Sequence, residues 1–295
     1  MRSVFYLLMI CGAQAGAGIL PAGFCNGPDT LKGNEKPLAL TIRLEDTRQT
    51  IHSFGASDCW TAKFIGKWAD KEKKNRIADL LFSMDTLADG SPEGIGLSLW
   101  RFNIGAGSFE QGASSGIRTD WRREECFQDS SGAYNWGKQE GQQWFLEAAR
   151  QRGVRYTLGF SISPPVHMTR NGKAFSPGGS SLNIRPGKLD DLAAFLAKVS
   201  DYFGFDYLSP VNEPQWNWTA EKGVATQEGS PALNSEISEL VKALSDELAS
   251  AGSATQVVVG EAGQWDYLYA RNKEGRGRQA AEFFSPSSPG YIGGL

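Results

Sequence analysis

The stretch that decides the fold class is residues 205–214, which read Phe205-Asp206-Tyr207-Leu208-Ser209-Pro210-Val211-Asn212-Glu213-Pro214. Its apolar residues predict a short buried strand, and Pro214 ends that strand because proline offers no backbone donor to a ladder. Pro214 also biases Glu213 away from the helical conformation. We therefore expect Glu213 at the carboxyl end of a strand, which is the end that carries the functional groups in parallel α/β folds and (β/α)8 barrels.

Strand and helix patterns alternate along the rest of the chain. Strands are predicted at 51–54, 96–103, 156–161, 205–211 and 256–260, and helices at about 70–88, 138–152, 188–203 and 235–251. This alternation predicts a parallel sheet covered by helices. The loops after the first four strands are long, which is typical of a (β/α)8 barrel. Because only five such strands are recognised, we expect a (β/α)8 TIM barrel truncated after about five strands; a complete open α/β sheet is the alternative.

The first residues predict export from the cytoplasm. Arg2 precedes an apolar run, and small residues at 13–17 offer cleavage sites, so residues 1–17 are predicted as a signal peptide. The alternative is a short apolar stretch of the folded domain. Residues 18–36 are rich in glycine, proline and asparagine and are predicted as a linker, and residues 38–44 predict one further strand. A secreted or periplasmic location follows, and no run approaches the ~18 apolar residues that a membrane span needs.

Composition excludes several classes of function. The 295 residues carry a formal net charge of -3, which gives no electrostatic case for nucleic acid or an anionic membrane as partner. The two histidines, His52 and His167, and the lack of CxxC spacing make a zinc site unsupported, and we predict neither metal nor cofactor. Four cysteines occur, of which Cys11 lies in the predicted signal, so at most one disulfide is expected. The acid–base chemistry available is mostly carboxylate.

Polar and aromatic side chains follow the predicted strands at the end where each strand finishes. In strand order these residues are Asp58 and Trp60, Arg101 and Asn103, Ser163, then Asn212, Glu213, Trp216 and Trp218, and finally Glu261. In a barrel they would surround one opening. Indoles stack on the apolar faces of sugars, and sugar hydroxyls pair with amide and carboxylate groups. Cleavage of a glycosidic bond needs one carboxylic acid and a second carboxylate, so the sequence favours carbohydrate chemistry.

Four segments together resemble glycoside hydrolase family 30, especially its endo-β-1,6-galactanase-like branch. They are Phe54-Gly55-Ala56-Ser57-Asp58-Cys59-Trp60, Arg101-Phe102-Asn103-Ile104-Gly105, Ser163-Pro164-Pro165-Val166-His167-Met168 and Asn212-Glu213-Pro214. The resemblance covers roughly residues 37–295. It implies a (β/α)8 barrel with a side β-structure, to which the strand at 38–44 would belong, and retaining hydrolysis of a polysaccharide without a metal.

The resemblance also implies roles for individual residues. Glu213 corresponds to the general acid/base, Asn212 to the amide that bonds the sugar 2-hydroxyl, and Arg101 to the arginine near the nucleophile. Asp58, Trp60 and the loop around Ser163 correspond to the subsite for the sugar whose bond is cleaved. His167 stands where relatives often carry a larger aromatic residue.

The nucleophile is the main departure from the family pattern. The family places it on a glutamate at the end of strand seven, so we expect it beyond Leu295 and expect residues 37–295 to form the N-terminal part of the catalytic domain. Glu261, at the end of the fifth strand, is predicted to bind substrate, and a rim ion pair is the alternative.

Several other readings of these residues remain open. Three alternatives are a non-hydrolytic carbohydrate-binding protein, an inactive fragment lacking the nucleophile, and an unrelated esterase with an open sheet. The alternative for Arg101 is a structural role that ties two strand ends together. The charged run at 120–125 is predicted to be a solvated face, and Trp121, Trp136 and Trp144 are predicted to pack against loops or helices.

Overall fold

The structure, a computed structural model, describes residues 50–293. The predicted signal peptide, the linker and the strand at 38–44 lie outside the described residues. Residues 53–293 belong to one compact unit. Within the described part of the chain, the helices are all too short or too polar to cross a membrane.

A five-stranded parallel sheet organises this unit. The strands are β1 (Gly55–Ser57), β2 (Leu99–Ile104), β3 (Tyr156–Ser161), β4 (Tyr207–Ser209) and β5 (Gln256–Val257), and their order in the sheet is the order in the chain. All four pairings are parallel. Each strand therefore lies beside the next one in sequence, as in successive units of a (β/α)8 barrel.

Helices connect the strands. They are α1 (Ala62–Ile65), α2 (Lys71–Phe82), α3 (Ser108–Gln111), α4 (Glu140–Gln151), α5 (Leu189–Phe203), α6 (Asn234–Ser250), α7 (Asp266–Tyr269) and α8 (Gln279–Phe284). Short 3-10 turns occupy Gly112–Ser115 and Asp120–Arg122. The four longest helices each follow one of the first four strands, so the predicted α/β class, built from repeated strand–helix units, is confirmed.

Several predicted boundaries differ from the structure, including those of β2 and β4, which occupy Leu99–Ile104 and Tyr207–Ser209. The first strand lies at 55–57 and not at 51–54, because its pairing with β2 begins where Gly55 meets Leu99. The helix predicted to reach residue 88 ends at Phe82, since Ser83 is extended and Met84 is exposed. β5 is shorter than the predicted strand because only two of its residues pair with β4.

The two faces of the sheet have different character, and the alternation of β2 shows it. Trp100, Phe102 and Ile104 belong to the large apolar core with the long helices, where Phe102 lies 5.3 Å from the ring of Phe203. Leu99 belongs to a second, smaller cluster with residues of β3 and β4. Because successive strand residues point to opposite faces, Arg101 and Asn103 share the face of Leu99. That face carries the polar residues predicted from the sequence.

The predicted packing roles of the tryptophans at 121, 136 and 144 agree with their contacts. Trp136 stacks on Tyr202 at a centroid distance of 3.9 Å, and Trp144 packs edge-on against Phe145. Trp121 stacks on Phe64, although 44% of it stays exposed. These indoles contribute to the packing of loops and helices outside the sheet.

A close contact between α4 and the α1 region fixes the segment that follows β1. A Cβ added to Gly141 would lie 2.2 Å from the carbonyl oxygen of Lys63, and one added to Gly66 would lie 2.1 Å from the carbonyl oxygen of Gly141. Such distances leave no room for a side chain at either position. The segment carrying Asp58 and Trp60 is thus held by helix packing that only glycine permits.

We predict that Gly141→Ala destabilises the protein by about 1–3 kcal/mol, the usual cost of overpacking a close contact. The matched control is Gly137→Ala, since Gly137 is exposed and its added Cβ would meet only the side chain of Asn135, at 3.2 Å. Urea unfolding monitored by circular dichroism measures both changes. Equal midpoints for the two variants would contradict the steric argument.

Candidate active site

Arg101 is the centre of the cluster at the carboxyl ends of the strands. Its Nε donates to Oε1 of Glu261 at 2.7 Å, and its Nη2 donates to Oε2 of Glu261 at 2.9 Å and to Oδ1 of Asn212 at 2.7 Å. The guanidinium carbon lies 3.1 Å from the ring centroid of Phe160. Arg101 is 5% exposed. A buried bidentate pair of this kind fixes the orientation of both partners.

Glu261 is fully engaged by its neighbours. Besides Arg101, the hydroxyl of Ser209 donates to Oε2 of Glu261 at 2.6 Å. The carboxylate is buried, and both of its oxygens accept hydrogen bonds. The main-chain oxygen of Glu261 also accepts from the amide of Glu213 at 2.8 Å. Glu261 therefore joins β5 to β2 and β4 at once.

Glu213 lies beside this pair in an unusual backbone conformation. Its φ of 45° is left-handed, which non-glycine residues seldom adopt and which surrounding contacts must sustain. Its amide donates to Glu261, and its carbonyl oxygen accepts from the indole N–H of Trp218 at 3.0 Å. These contacts hold the backbone of Glu213 from both sides.

Burial raises the pKa of the Glu213 carboxyl group above its ordinary value. The charge of Arg101 lowers the pKa, the charge of Glu261 raises it, and hydrogen bonds from the side chains of Asn212 and Trp216 lower it. Desolvation is the largest of these effects, and it disfavours the ionised form. A half-buried carboxyl group with a raised pKa is suited to donate a proton near neutral pH.

Asp58 and Asn103 form a second polar group on the same face. Oδ1 of Asp58 accepts from the amide of Asn103 at 3.0 Å, and the amide of Asp58 donates to the carbonyl oxygen of Arg101. Oδ2 of Asp58 and both side-chain polar atoms of Asn103 are buried without a hydrogen-bond partner among the described residues. Burial raises the pKa of Asp58 to about 7. Unpaired buried polar atoms are costly, so a water molecule, an ion or a functional role is the usual explanation for them.

The remaining predicted residues surround these two groups. Trp60 is buried and has the guanidinium of Arg122 at 5.2 Å from its ring centroid. Trp216 and Trp218 are half-buried, and Trp216 packs edge-on against Tyr267. Ser163 is buried and its hydroxyl donates to the adjacent carbonyl of Pro164 at 3.4 Å. Arg101, Asn212, Glu213 and Glu261 are thus in direct contact, whereas Ser163 bonds only within its own loop.

A buried carboxylate network behind the site was missed by sequence reasoning. The charged run at 120–125 was predicted to be solvated, but Glu124 is 1% exposed and lies 3.4 Å from Nζ of Lys63. Glu228 is fully buried and accepts from the amides of Ala106, Ser108 and Glu124. The charge pattern alone carried no signal, because burial of Glu124 depends on a lysine of α1 and a glutamate far along the chain.

This network connects three loops, and the pKa values of its two carboxyl groups are raised. Burial raises the pKa of Glu228 to about 7. Burial also raises the pKa of Glu124, against the lowering effect of Lys63. The ammonium group of Lys63 additionally donates to the carbonyls of Asp120, Trp121 and Arg123. The loop after β2 is therefore held to the α1 region and to the loop after β4.

Within residues 53–293 the histidine is His167 and the cysteines are Cys59 and Cys126. A ring nitrogen of His167 lies 3.1 Å from Oε1 of Gln128. Cys59 and Cys126 are both free thiols. Within residues 50–293, no group of three or more histidine, cysteine, aspartate or glutamate side chains is arranged to hold a metal ion.

The motifs and the fold lead to one family. Residues 37–295 match the model of O-glycosyl hydrolase family 30. That match covers most of the chain, so the protein belongs to glycoside hydrolase family 30. No curated protein matches the chain significantly.

Solved structures support the fold. The chain is similar to a conserved exported protein from Bacteroides fragilis, with 36% identity and a TM-score of 0.78 over 85% of this chain and 52% of that one. It also resembles the catalytic domain of the family 30 xylanase C from Talaromyces cellulolyticus, at 20% identity and a TM-score of 0.53 over 75% and 48%. SrfJ from Salmonella typhimurium matches at 19% identity and a TM-score of 0.54 over 72% and 44%. The chain spans about half the length of these proteins.

We predict that stability falls as the pH rises from about 4 to about 7. Asp58 and Glu228 keep their protons in the folded state up to about pH 7, whereas in the unfolded chain they lose them near pH 4. The folded state thus binds more protons in this window, so raising the pH favours unfolding. Urea denaturation at pH 5 and pH 7 measures the difference.

Glu228→Gln should show a shallower decline in stability toward pH 7 than the wild type, because its amide does not titrate. Burial lowers the pKa of His167, which has the opposite effect on stability. The difference in unfolding free energy between wild type and variant at each pH separates the two effects, because both proteins contain His167. Glu147→Gln, on the exposed side of α4, controls for loss of a surface charge. An identical decline in Glu228→Gln and the wild type would refute the assignment.

Proposed function

We propose that this chain carries the acid/base part of the active site of a retaining glycoside hydrolase, which cleaves β-glycosidic bonds in a polysaccharide by double displacement. The observation that carries the proposal is the position of Glu213. It lies at the carboxyl end of β4, half-buried, with a raised pKa and with a buried arginine and asparagine beside it. These properties suit a general acid that becomes a general base in the second step.

Glu213 would act twice in one catalytic cycle. In the first step its proton passes to the leaving oxygen as the glycosidic bond breaks, and a carboxylate nucleophile bonds to the sugar carbon. In the second step the Glu213 carboxylate takes a proton from water, which releases the sugar from the nucleophile. Burial raises the pKa of Glu213 and so favours the protonated form that the first step needs.

Asn212 is arranged to bind the sugar hydroxyl next to the reacting carbon. Its Oδ1 accepts from Arg101, so its amide nitrogen is the end that remains to donate. The same side chain hydrogen-bonds toward Glu213. Arg101 thereby sets the orientation of the amide that would contact the 2-hydroxyl group.

We place the nucleophile beyond Leu295. Glu261 has both oxygens occupied by Arg101 and Ser209 and is 5% exposed, so it is a poor candidate for attack on a sugar. We propose that Glu261 contributes to substrate binding indirectly, because it orients Arg101 and, through Arg101, the side chain of Asn212. Retaining enzymes hold their two carboxyl groups about 5–5.5 Å apart, and the second of these groups would come from further along the protein.

The substrate subsites would be formed by the remaining polar and aromatic residues. Oδ2 of Asp58 and the amide of Asn103 are buried without partners and would pair with sugar hydroxyls. Trp60, Trp216 and Trp218 would offer ring faces, and Ser163 would lie in the wall. We propose β-1,6-galactan as the substrate, on the four motifs shared with the galactanase-like branch. The proposal includes no metal or cofactor.

We also propose that the protein is secreted or periplasmic. Residues 1–17 have the order of a signal peptide. The similar protein from Bacteroides fragilis is described as exported. A polysaccharide too large to enter a cell requires its hydrolase outside the cytoplasm, so location and substrate agree.

We predict that Glu213→Gln, made in the full-length protein containing this sequence, lowers kcat/KM on β-1,6-galactan about 10²–10⁴-fold, the usual contribution of acid–base catalysis. On a 2,4-dinitrophenyl β-1,6-galactobioside the loss should be far smaller, because dinitrophenolate leaves without a proton. Azide should accelerate the variant and yield the glycosyl azide. Wild-type kcat/KM on the polysaccharide should fall as the pH rises through the raised pKa of Glu213.

Glu221→Gln is the matched control, since Glu221 is an exposed glutamate in the same loop. Near-wild-type release of reducing ends by Glu213→Gln would remove the acid/base assignment. Saturable galactan binding by the wild type, with no release of reducing ends, would instead support a non-hydrolytic carbohydrate-binding protein.

A further inference from the structure

Arg276 is a fully buried cation in the segment between α7 and α8, and sequence reasoning did not single it out. Its Nη1 lies 3.4 Å from the carbonyl oxygens of Pro214 and Trp216 and 3.2 Å from Oδ1 of Asn217. Its Nη2 lies 3.2 Å from the same oxygen of Asn217. All of these acceptors belong to residues 214–217, the turn that directly follows Glu213. The guanidinium therefore forms hydrogen bonds with several acceptors of that turn at once.

Further hydrogen bonds join the same two segments. The side chain of Gln215 donates through Nε2 to the carbonyl oxygen of Arg276 at 2.6 Å, and its Oε1 accepts from the amide of Gly263 at 2.9 Å. Gln215 is fully buried. The turn after Glu213 is thus connected to the segments that follow β5 by both side chains, in both directions.

The position of the charge is informative. Arg276 is 0% exposed, and its carboxylate partner, Glu274, lies 3.0 Å away with its own side chain 67% exposed. Burying a guanidinium is costly unless its donors are satisfied. Here the two terminal nitrogens make four hydrogen bonds to the turn and one to Glu274, while Nε is buried without a partner among the described residues. The hydrogen bonds that compensate for burying this charge therefore restrain the turn at residues 214–217.

The constrained turn begins at the strained residue. Glu213 has a φ of 45°, and such a conformation persists only where neighbouring contacts enforce it. On its amino side the contact is the bond from its amide to Glu261. On its carboxyl side the turn is held by Arg276, and the indole of Trp218 reaches back to the carbonyl of Glu213. Arg276 thus supplies the restraint that the Arg101–Glu261 pair does not.

We propose that Arg276 is a positioning residue for the general acid Glu213. It holds residues 214–217 so that the Glu213 carboxyl group faces the leaving oxygen. The inference rests on the proposed function, and it adds a residue that does not touch substrate. Loss of the hydrogen bonds from Arg276 to this turn should impair proton donation more than it impairs substrate binding or the departure of a good leaving group.

The test compares Arg276→Gln with the wild type on two substrates, in the full-length protein. We expect kcat/KM on β-1,6-galactan to fall about 100-fold, within the range of acid–base effects. On 2,4-dinitrophenyl β-1,6-galactobioside, which needs no proton donation, we expect a fall below about fivefold. Since both substrates use the same fold, the activated glycoside also reports that the variant is folded.

Arg278→Gln is the matched control, because Arg278 is exposed and two residues away; it should leave both rates unchanged. Equal losses on the two substrates by Arg276→Gln would show a merely structural role and overturn the proposal, as would no loss on either. A leaving-group dependence in Glu213→Gln without one in Arg276→Gln would reject the positioning role alone. Its absence from Glu213→Gln would reject the proposed function itself.

Asn217→Ala keeps the proposal testable if Arg276→Gln does not fold. Asn217 is exposed and accepts hydrogen bonds from both terminal nitrogens of Arg276. Its replacement by alanine removes these two bonds, while those from Arg276 to the carbonyl oxygens of Pro214 and Trp216 stay. We expect about a tenfold fall on the galactan and wild-type activity on the activated glycoside, in keeping with loss of part of an acid–base effect. Equal effects on both substrates would overturn the proposal.

Discussion

The buried pair of Arg101 and Glu261 constrains the whole sheet. Two strands, β3 and β4, lie between β2 and β5 in the sheet, yet the side chains meet at 2.7 Å. Arg101 lies in β2 and Glu261 follows β5 by four residues, so their contact brings the segments at the carboxyl ends of these two strands together above β3 and β4. Phe160 of β3 and Ser209 of β4 fill the space between them. The pair therefore belongs with the curvature of a barrel, and its burial is tolerated because each donor and acceptor is matched.

Local pattern predicted the parts of this arrangement that depend on local chemistry. The buried strand before Glu213 followed from its apolar residues, although β4 ends at Ser209 and not at Pro214, and the two faces of β2 follow from its alternating residues. The register of β1 did not, because a three-residue strand is defined by its partner rather than by its own sequence. The burial of Glu124 and Arg276 was equally hidden, since each depends on groups that the fold brings from distant segments.

The buried carboxyl groups of Glu124 and Glu228 show how the fold holds acidic groups close to the candidate site. Glu228 accepts from three backbone amides and from Ser108, and still its pKa is raised, because burial outweighs the hydrogen bonds. Lys63 satisfies carbonyls of the loop after β2 and lies beside Glu124. The loops that flank Asp58 and Glu213 are thus connected by polar contacts inside the protein, which restrict how far either can move.

In the proposed mechanism, Glu261 and Glu213 have different roles because their side chains are restrained to different extents. The main-chain oxygen of Glu261 holds the amide of Glu213, and the side chain of Glu261 holds Arg101, which in turn orients Asn212. A carboxylate engaged in this way cannot leave its partners to form a bond with a sugar without releasing all three. Glu213 has its backbone restrained and its carboxyl group half-buried, so it can change protonation state while the surrounding frame stays in place. The restraint of one glutamate makes the other available for chemistry.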